Sequence, residues 1–583
     1  MRRLTMLGLA FMLSTSALAA PADDLRSVID DHWAWFLKNN PTYATALGVR
    51  DHDSELPDIS LAAQDRQVAD AHRFLDRLKA IPDTGLGKTE RLNKAILSRM
   101  LREDIEANGF GARTMLFTTY SGWHQNFAGL GDNVPLRTRA DYESYLTRLS
   151  KYPRLNDDAL AITRKAVAEG FTQPCDAMQG FEKSILGVIT DDPRQSRFYE
   201  PFTRARPVDV SEADWTAMQT RAADIIAKTV NPEYREFADY YVKEYAPKCR
   251  KSVGASTLPE GKDYYAYRAR VMTTTDMTPD AIHALGLSEV KRIRAEMEEV
   301  AKKAGFADRA AFVAKLRADP QYYAKTPDEL MRAASLIAKT IDGKMPAYFG
   351  RLPRLPYGLK EIPAEIAEGT TTAFYSSGSP ESGLSGTYYL NTSKLDQRPL
   401  FELPALTVHE AVPGHHHQIA LQQELDLPEF RKHAASFTAF TEGWGLYSER
   451  LGIPMGLYDT PAKDMGRLSY EMWRAARLVV DTGMHMKGWT KKQAVDFMLD
   501  NTALSAANID AEVNRYITWP GQALAYKIGE LKIRELRTCA EKELGPKFDI
   551  RTFHDTVLEN GAVPLDVLDA HVSEWIAAAK AKG

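Results

Sequence analysis

The stretch TVHEAVPGHHHQ, Thr407 to Gln418, sets His409, His415, His416 and His417 beside Glu410 and interrupts them with Pro413-Gly414. On an unbroken helix, residues four apart share a face, so an H-E-x-x-H pattern turns two imidazoles toward one cation. Here the fourth position after His409 is Pro413. An undistorted helix rotates His415 by about 240° away from His409 and returns His416 to the same face only about 10 Å along the axis. Neither histidine then shares an ion with His409. A proline inside a helix removes one backbone hydrogen bond and clashes with the preceding turn, and glycine tolerates unusual angles, so the helix must kink or bulge here. A bulge absorbing two extra residues brings His415 to the place of the usual second imidazole. The stretch therefore reads as an expanded H-E-x-G-H, with His409 and His415 as metal ligands, His416 in reserve and Glu410 as general base.

The competing reading is a solvated histidine-rich tract that picks up metals adventitiously. Against it, the preceding FELPALTV (401–408) is apolar and buries His409 beside an acid, an expensive arrangement unless it is used. Zinc needs a third protein ligand, and FTAFTEGWGLYSERLG (437–452) supplies Glu442 among apolar neighbours, Phe440 and Trp444, that predict burial. Glu449, about two turns further on the same face, is a candidate to support a ligand. Three protein ligands leave a fourth position for water, with Glu410 as base and the metal polarising a carbonyl.

The oxyanion of such a reaction needs a donor. In WRAARLVVDTGMHM (473–486), Arg477, Asp481 and His485 fall four apart on one helix face, with Arg477 a candidate for substrate binding and His485 for catalysis. In NRYITWPGQALAYKIG (514–529), Tyr526 is the candidate oxyanion donor, and Arg515 or Lys527 is suited to a peptide carboxylate. The strand-like GTYYLNT (386–392) is expected to expose an edge for an extended peptide, lined by Tyr388, Tyr389 and Asn391.

The rest of the 583 residues frames this site. The opening MRRLTMLGLAFMLSTSALAA reads as a signal peptide (1–19) cleaved after Ala19, giving a periplasmic or secreted protein. Its apolar run is shorter than the roughly 20 residues a spanning helix needs. A formal charge of -4 calls for neither nucleic acid nor an anionic membrane as partner. An oxidising compartment permits one disulfide, with Cys175 and Cys249 the expected pair and Cys539 left over. Helix-period text fills an N-terminal half (20–253). A second half (254–583) contains TPDAIHALGLSEV (278–290), where Thr278 is the expected N-cap and Pro279 the first helical residue. Between about 351 and 395 the text turns rich in Pro, Gly, Ser and Thr, and TTTAFY and GTYYLNT read as a hairpin or small sheet.

HEAVPGHHHQ, TEGWGLYSE, RAARLVVDTGMH and RYITWPGQALAYKIG, in this order, resemble the bacterial domain of unknown function 885 family, and LPEGKDYYAYRARVMTTTDMTPDAIHALGLSEV and SGTYYLNT fit it too. That family resembles the helical zinc peptidases typified by angiotensin-converting enzyme, thimet oligopeptidase and neurolysin. The resemblance implies a mostly α fold with a deep channel between two helical halves, a small sheet at the site and cleavage of short peptides. It places zinc on His409, His415 and Glu442, with Glu410 as base. Two other readings stay open: a non-haem iron enzyme on the same two histidines and carboxylate, and a catalytically inactive peptide- or metal-binding protein. No G-x-S-x-G appears to suggest a serine hydrolase.

Overall fold

Helices begin where the chain offers a cap or a proline. In the computed structural model, which describes residues 20–581 apart from 120, 133, 368, 369 and 382, α1 (Pro21–Asn39) opens on Pro21. The Ser60 side chain accepts from the Ala63 N–H at the start of α2 (Leu61–Ala80), and α3 (Lys88–Gly109) follows. The 1–19 segment read as a signal peptide lies outside the described residues. In α4 (Pro279–Lys303), Thr278 caps the Ala281 N–H and Pro279 holds the first position, as the sequence indicates.

The Pro/Gly-rich region folds into β1 (Tyr357–Glu361), β2 (Ala373–Ser376) and β3 (Gly386–Leu390), in the order β1-β3-β2. β2 and β3 form the antiparallel pair expected of TTTAFY and GTYYLNT, with Phe374 opposite Tyr389. β1 adds a parallel partner on the far side of β3, with Leu359 opposite Tyr388. This corrects the expectation of an exposed edge in GTYYLNT: β3 is paired on both sides, and the sheet edges belong to β1 and β2.

From there the chain is helical: α5 (Leu403–Glu410), α6 (His415–Glu424), α7 (Thr438–Leu451), α8 (Pro461–Met486), α9 (Ala506–Thr518), α10 (Ala525–Leu544) and α11 (Leu565–Ala581). The fold is mostly α, and among the described residues no helix is long and apolar enough to cross a membrane. One hydrophobic core joins Leu25, Leu78 and Leu97 of α1–α3 to Trp444 of α7, Ile533 of α10 and Leu568 of α11. Residues 117–245 build a separate core rich in Tyr, Phe and Trp. The first helices thus share their core with the last ones, and a division at 253 does not coincide with a division of cores. Cys175 and Cys249 are joined, and Cys539 is free and exposed.

α8 is buried without interruption from Met465 to His485, charged residues included. Each charge on such a helix needs partners. Glu471 accepts from Arg450 at 2.8 Å and from Lys527 at 3.1 Å. Lys527 is also 2.8 Å from Glu530 and 3.1 Å from Glu289. The expectation that Lys527 meets a substrate carboxylate is therefore corrected, because carboxylates of the protein surround it.

α7 and α10 approach until backbone meets backbone. A Cβ on Gly443 would lie 2.5 Å from Gly529, and one on Gly529 would overlap the Ala439 carbonyl. Gly529→Ala is expected to force the two helices apart and to cost about 1–3 kcal/mol, the usual range for overpacking. A lowered thermal midpoint checks this; an unchanged midpoint would mean that the helices separate at no cost.

Candidate metal centre

The Pro413-Gly414 pair does more than bulge one helix. α5 ends at Glu410, a turn spans Ala411 to Gly414, and α6 begins at His415. The Gly414 N–H donates back to the Val408 carbonyl at 3.0 Å, and the His416 N–H donates to that of Ala411 at 3.1 Å. The expectation of a bulge within a continuous helix is thus corrected to two helices joined by a turn that folds onto the first. Only glycine fits at 414, since a Cβ there would overlap the carbonyl oxygens of Val408 and His409. The Trp444 indole N–H donates to the Pro413 carbonyl at 2.8 Å and fixes the turn to α7.

This turn sets the His415 ring across the His409 ring, with centroids 4.6 Å apart and planes at 85°. Glu442, reaching from α7, brings Oε2 to 3.4 Å from His409 Nε2 and 3.2 Å from His415 Nε2. One ligand atom from each of the three lies within 4.8 Å of the others. Gly445 makes room for the first ring, since a Cβ there would stand 2.7 Å from His409 Cε1.

The other nitrogen of His409 sets its role. Nδ1–H donates to Glu449 Oε1 at 2.9 Å, and Arg474 holds the same oxygen at 3.2 Å. In the neutral imidazole the Nε2 lone pair then faces Glu442. An imidazole lone pair and a carboxylate in mutual contact repel unless a positive charge lies between them. Burial disfavours charge on His409, yet hydrogen bonds with Glu442 and Glu449 outweigh it and hold the imidazole up at about 9. Burial likewise opposes the Glu442 carboxylate, but His415 and His409 hold it well below the usual carboxylate range. The donor set is built for a proton or a divalent cation, and two imidazoles with one carboxylate match a catalytic zinc set.

Glu410 is the last residue of α5, buried and next in sequence to His409. Tyr526 stacks on the His409 ring at 6.2 Å. Its hydroxyl accepts from Arg515 Nη2 at 2.9 Å and from Gln522 Nε2 at 3.3 Å. Arg477 lies 4.1 Å over the Tyr526 ring and donates to Tyr516 at 2.8 Å and to Glu512 at 2.7 Å. At 1% exposure it orients Tyr526 from behind, correcting its expected substrate contact.

Other candidates lie elsewhere. His485 accepts at Nδ1 from the Ala255 N–H and donates from Nε2 to the Tyr516 carbonyl, both at 3.0 Å. Burial pushes it down to about 3, so it is a neutral structural imidazole, and its expected catalytic role is corrected. Asp481, between them on α8, accepts from Tyr265 and is raised by burial to about 7. Tyr388 is wholly buried on the central strand. The Asn391 amide donates to the carbonyls of Ala367, Thr370 and Thr371 at 2.7–3.0 Å. Neither lines a groove, because one fills the core and the other ties a loop. His416, the reserve ligand, bonds Tyr375 through Nδ1 at 3.0 Å, and His417 packs on Phe349 at 4.5 Å. The sequence reading missed Arg474, although it stands in the same RAAR run as Arg477. It also missed that Gln522 orients Tyr526.

Glu449→Gln keeps the shape but removes the charge that fixes the His409 tautomer. Metal affinity is expected to fall about 10-fold or more, measured by competition with a chromophoric chelator. Unchanged affinity would make the contact incidental.

Comparison with known proteins sets this chain in a family. A crystal structure of a protein from Colwellia psychrerythraea, described as a candidate lipoprotein, matches with a TM-score of 0.90 and 28% identity over 96% of this chain and 100% of its own. A protein from Shewanella oneidensis, described as a candidate lipoprotein of unknown function, shares the fold with a TM-score of 0.69 and 19% identity over 95% of this chain and 99% of its own. No curated protein matches significantly. The family model for bacterial proteins of unknown function DUF885 matches residues 41–572, and the chain belongs to that family.

Proposed function

We propose that the chain is an exported zinc-dependent metallopeptidase that hydrolyses short peptides. The observation that carries this reading is the convergence of His409, His415 and Glu442, with His409 oriented by Glu449. Zinc in this set supplies a Lewis acid that polarises a carbonyl and makes water a competent nucleophile at neutral pH. The centre is not sealed: the His415 and Glu442 side chains keep 11% and 18% of their surface exposed.

The chain's own groups divide the remaining work. Glu410, beside His409, takes a proton from the attacking water as the carbonyl carbon gains its new oxygen and an oxyanion forms, and returns that proton to the leaving amine as the oxyanion collapses and the amide bond breaks. Tyr526 supplies the donor for the developing oxyanion. Gln522 Oε1 accepts from Arg515 at 2.6 Å, which turns the Gln522 amide nitrogen toward Tyr526. Arginine and an amide nitrogen only donate, so both lone pairs of the Tyr526 hydroxyl are engaged and its proton is left for another acceptor. Arg515 and Gln522 hold that hydroxyl in place, and Arg477 lies over the ring that carries it.

Export is supported by the signal-like opening, by the Cys175–Cys249 disulfide and by relatives described as candidate lipoproteins. The test of the mechanism is Glu410→Gln. Zinc content is expected to stay at the wild-type level while kcat on a mixed peptide library falls by about 10²–10⁴. Undiminished turnover in that variant would remove Glu410 from the chemistry.

A further inference from the structure

One buried carboxylate that the mechanism leaves unused is shared by four helices. Glu471 of α8 is 2% exposed, and its two oxygens serve different neighbours. Oε2 accepts from Arg450 Nη1 of α7 at 2.8 Å and lies 3.4 Å from Arg467 Nη1 of α8 itself. Oε1 accepts from Lys527 Nζ of α10 at 3.1 Å and from Arg292 of α4. α4 packs on α8 so closely that a Cβ on Gly286 would stand 2.7 Å from Leu478 Cβ. Burial opposes the Glu471 charge, but Lys527, Arg450 and Arg292 hold the carboxylate well below its usual range. Each partner lost from such a group leaves buried charge uncompensated, so the partners are held in place.

The sequence neighbours of those partners work at the candidate centre. Arg450 follows Glu449, which accepts from His409 Nδ1–H, and Lys527 follows Tyr526. Further along α8, Arg474 holds Glu449 at 3.2 Å, and Arg477 lies 4.1 Å over the Tyr526 ring. α8 therefore grips two dipeptides, Glu449-Arg450 and Tyr526-Lys527, each by an arginine on its first residue and by Glu471 on its second. On α7 the signs are matched, acid to base and base to acid. A register that put Glu449 on Glu471, or Arg450 on Arg474, would bury like charge against like charge. Gly443 and Gly529, where α7 and α10 touch, offer no side chain to set that register.

We infer that Glu471 is a positioning residue for the metal centre and the oxyanion donor together: it fixes the register of α7 and α10 on α8, and through them the place of Glu449 beside His409 and of the Tyr526 hydroxyl. The inference rests on the metallopeptidase reading. Glu471 acts at one remove, through Arg450 and Lys527, and its two arms have different consequences. The Arg450 arm governs how His409 is oriented, and so the affinity for metal. The Lys527 arm governs where the Tyr526 hydroxyl stands, and so the rate of the chemical step.

The arms are cut separately in the full chain, because Glu471→Gln would leave several buried cations without their counter-charge and cost much of the fold's stability. Arg450→Met cuts the α7 arm. Lys527→Met with Glu530→Gln cuts the α10 arm and removes one charge of each sign from a pair 2.8 Å apart. In Arg450→Met, zinc affinity by chelator competition is expected to fall about 5- to 10-fold, with kcat on a mixed peptide library at saturating zinc within about 2-fold of wild type. In the double variant kcat is expected to fall about 10-fold, with zinc affinity within about 2-fold. Wild-type values of both quantities in both variants, or losses of both quantities together in each, would reduce Glu471 to a structural ion pair and overturn the inference. If the wild-type chain binds no zinc or cleaves no peptide, the metallopeptidase reading fails by itself, and crystal structures of the same two variants decide the positioning role. Glu449 parted from His409 Nδ1 in Arg450→Met, and Arg515 parted from the Tyr526 hydroxyl in the double variant, would sustain it; either contact kept in its variant would overturn it.

Discussion

Three hydrogen-bond acceptors, Nε2 of His409, Nε2 of His415 and a carboxylate oxygen of Glu442, face one small space. That arrangement is stable only around positive charge, and much of the surrounding structure serves to hold it. Two devices bring the acceptors together. The turn at Pro413-Gly414 folds α6 back so that His415 crosses His409, and the glycines of α7 let that helix lie against both the His409 ring and α10. Trp444 joins the two devices by bonding the turn from α7. A change in either would separate these three side chains without touching them.

The second layer is electrostatic. Glu449 and Arg474 fix which nitrogen of His409 faces the centre, while Arg515 holds the Tyr526 hydroxyl, Arg477 covers its ring, and Glu512 pairs with both arginines. These groups are buried, so each ion pair contributes orientation more than net stability. α8 supplies both Arg474 and Arg477, one turn apart, which explains why a helix so charged runs through the interior.

Much of the candidate site was legible because its signal is local. A proline-glycine break between histidines, and glutamates among aromatic residues, are visible in a few residues of text. The N-cap at Thr278 and the antiparallel pairing of TTTAFY with GTYYLNT are local too. What failed depends on long-range partners. Nothing in YKIG indicates that Glu289, Glu471 and Glu530 surround Lys527, and nothing in DTGMH indicates that backbone groups of Ala255 and Tyr516 occupy both nitrogens of His485. Shared helical spacing put Arg477, Asp481 and His485 on one face, but it could not say that this face turns into the protein. Likewise β1 is a parallel partner distant from the hairpin, so the central place of β3, and the burial of Tyr388, could not be read from its own residues.

The central claim is that His409, His415 and Glu442 form one metal site. The most direct measurement is the metal content of the purified protein by elemental mass spectrometry, set beside that of His415→Ala. About one zinc per chain, largely lost in His415→Ala, is the expected result. No stoichiometric metal in the wild-type protein, or the same content in the variant, would contradict it.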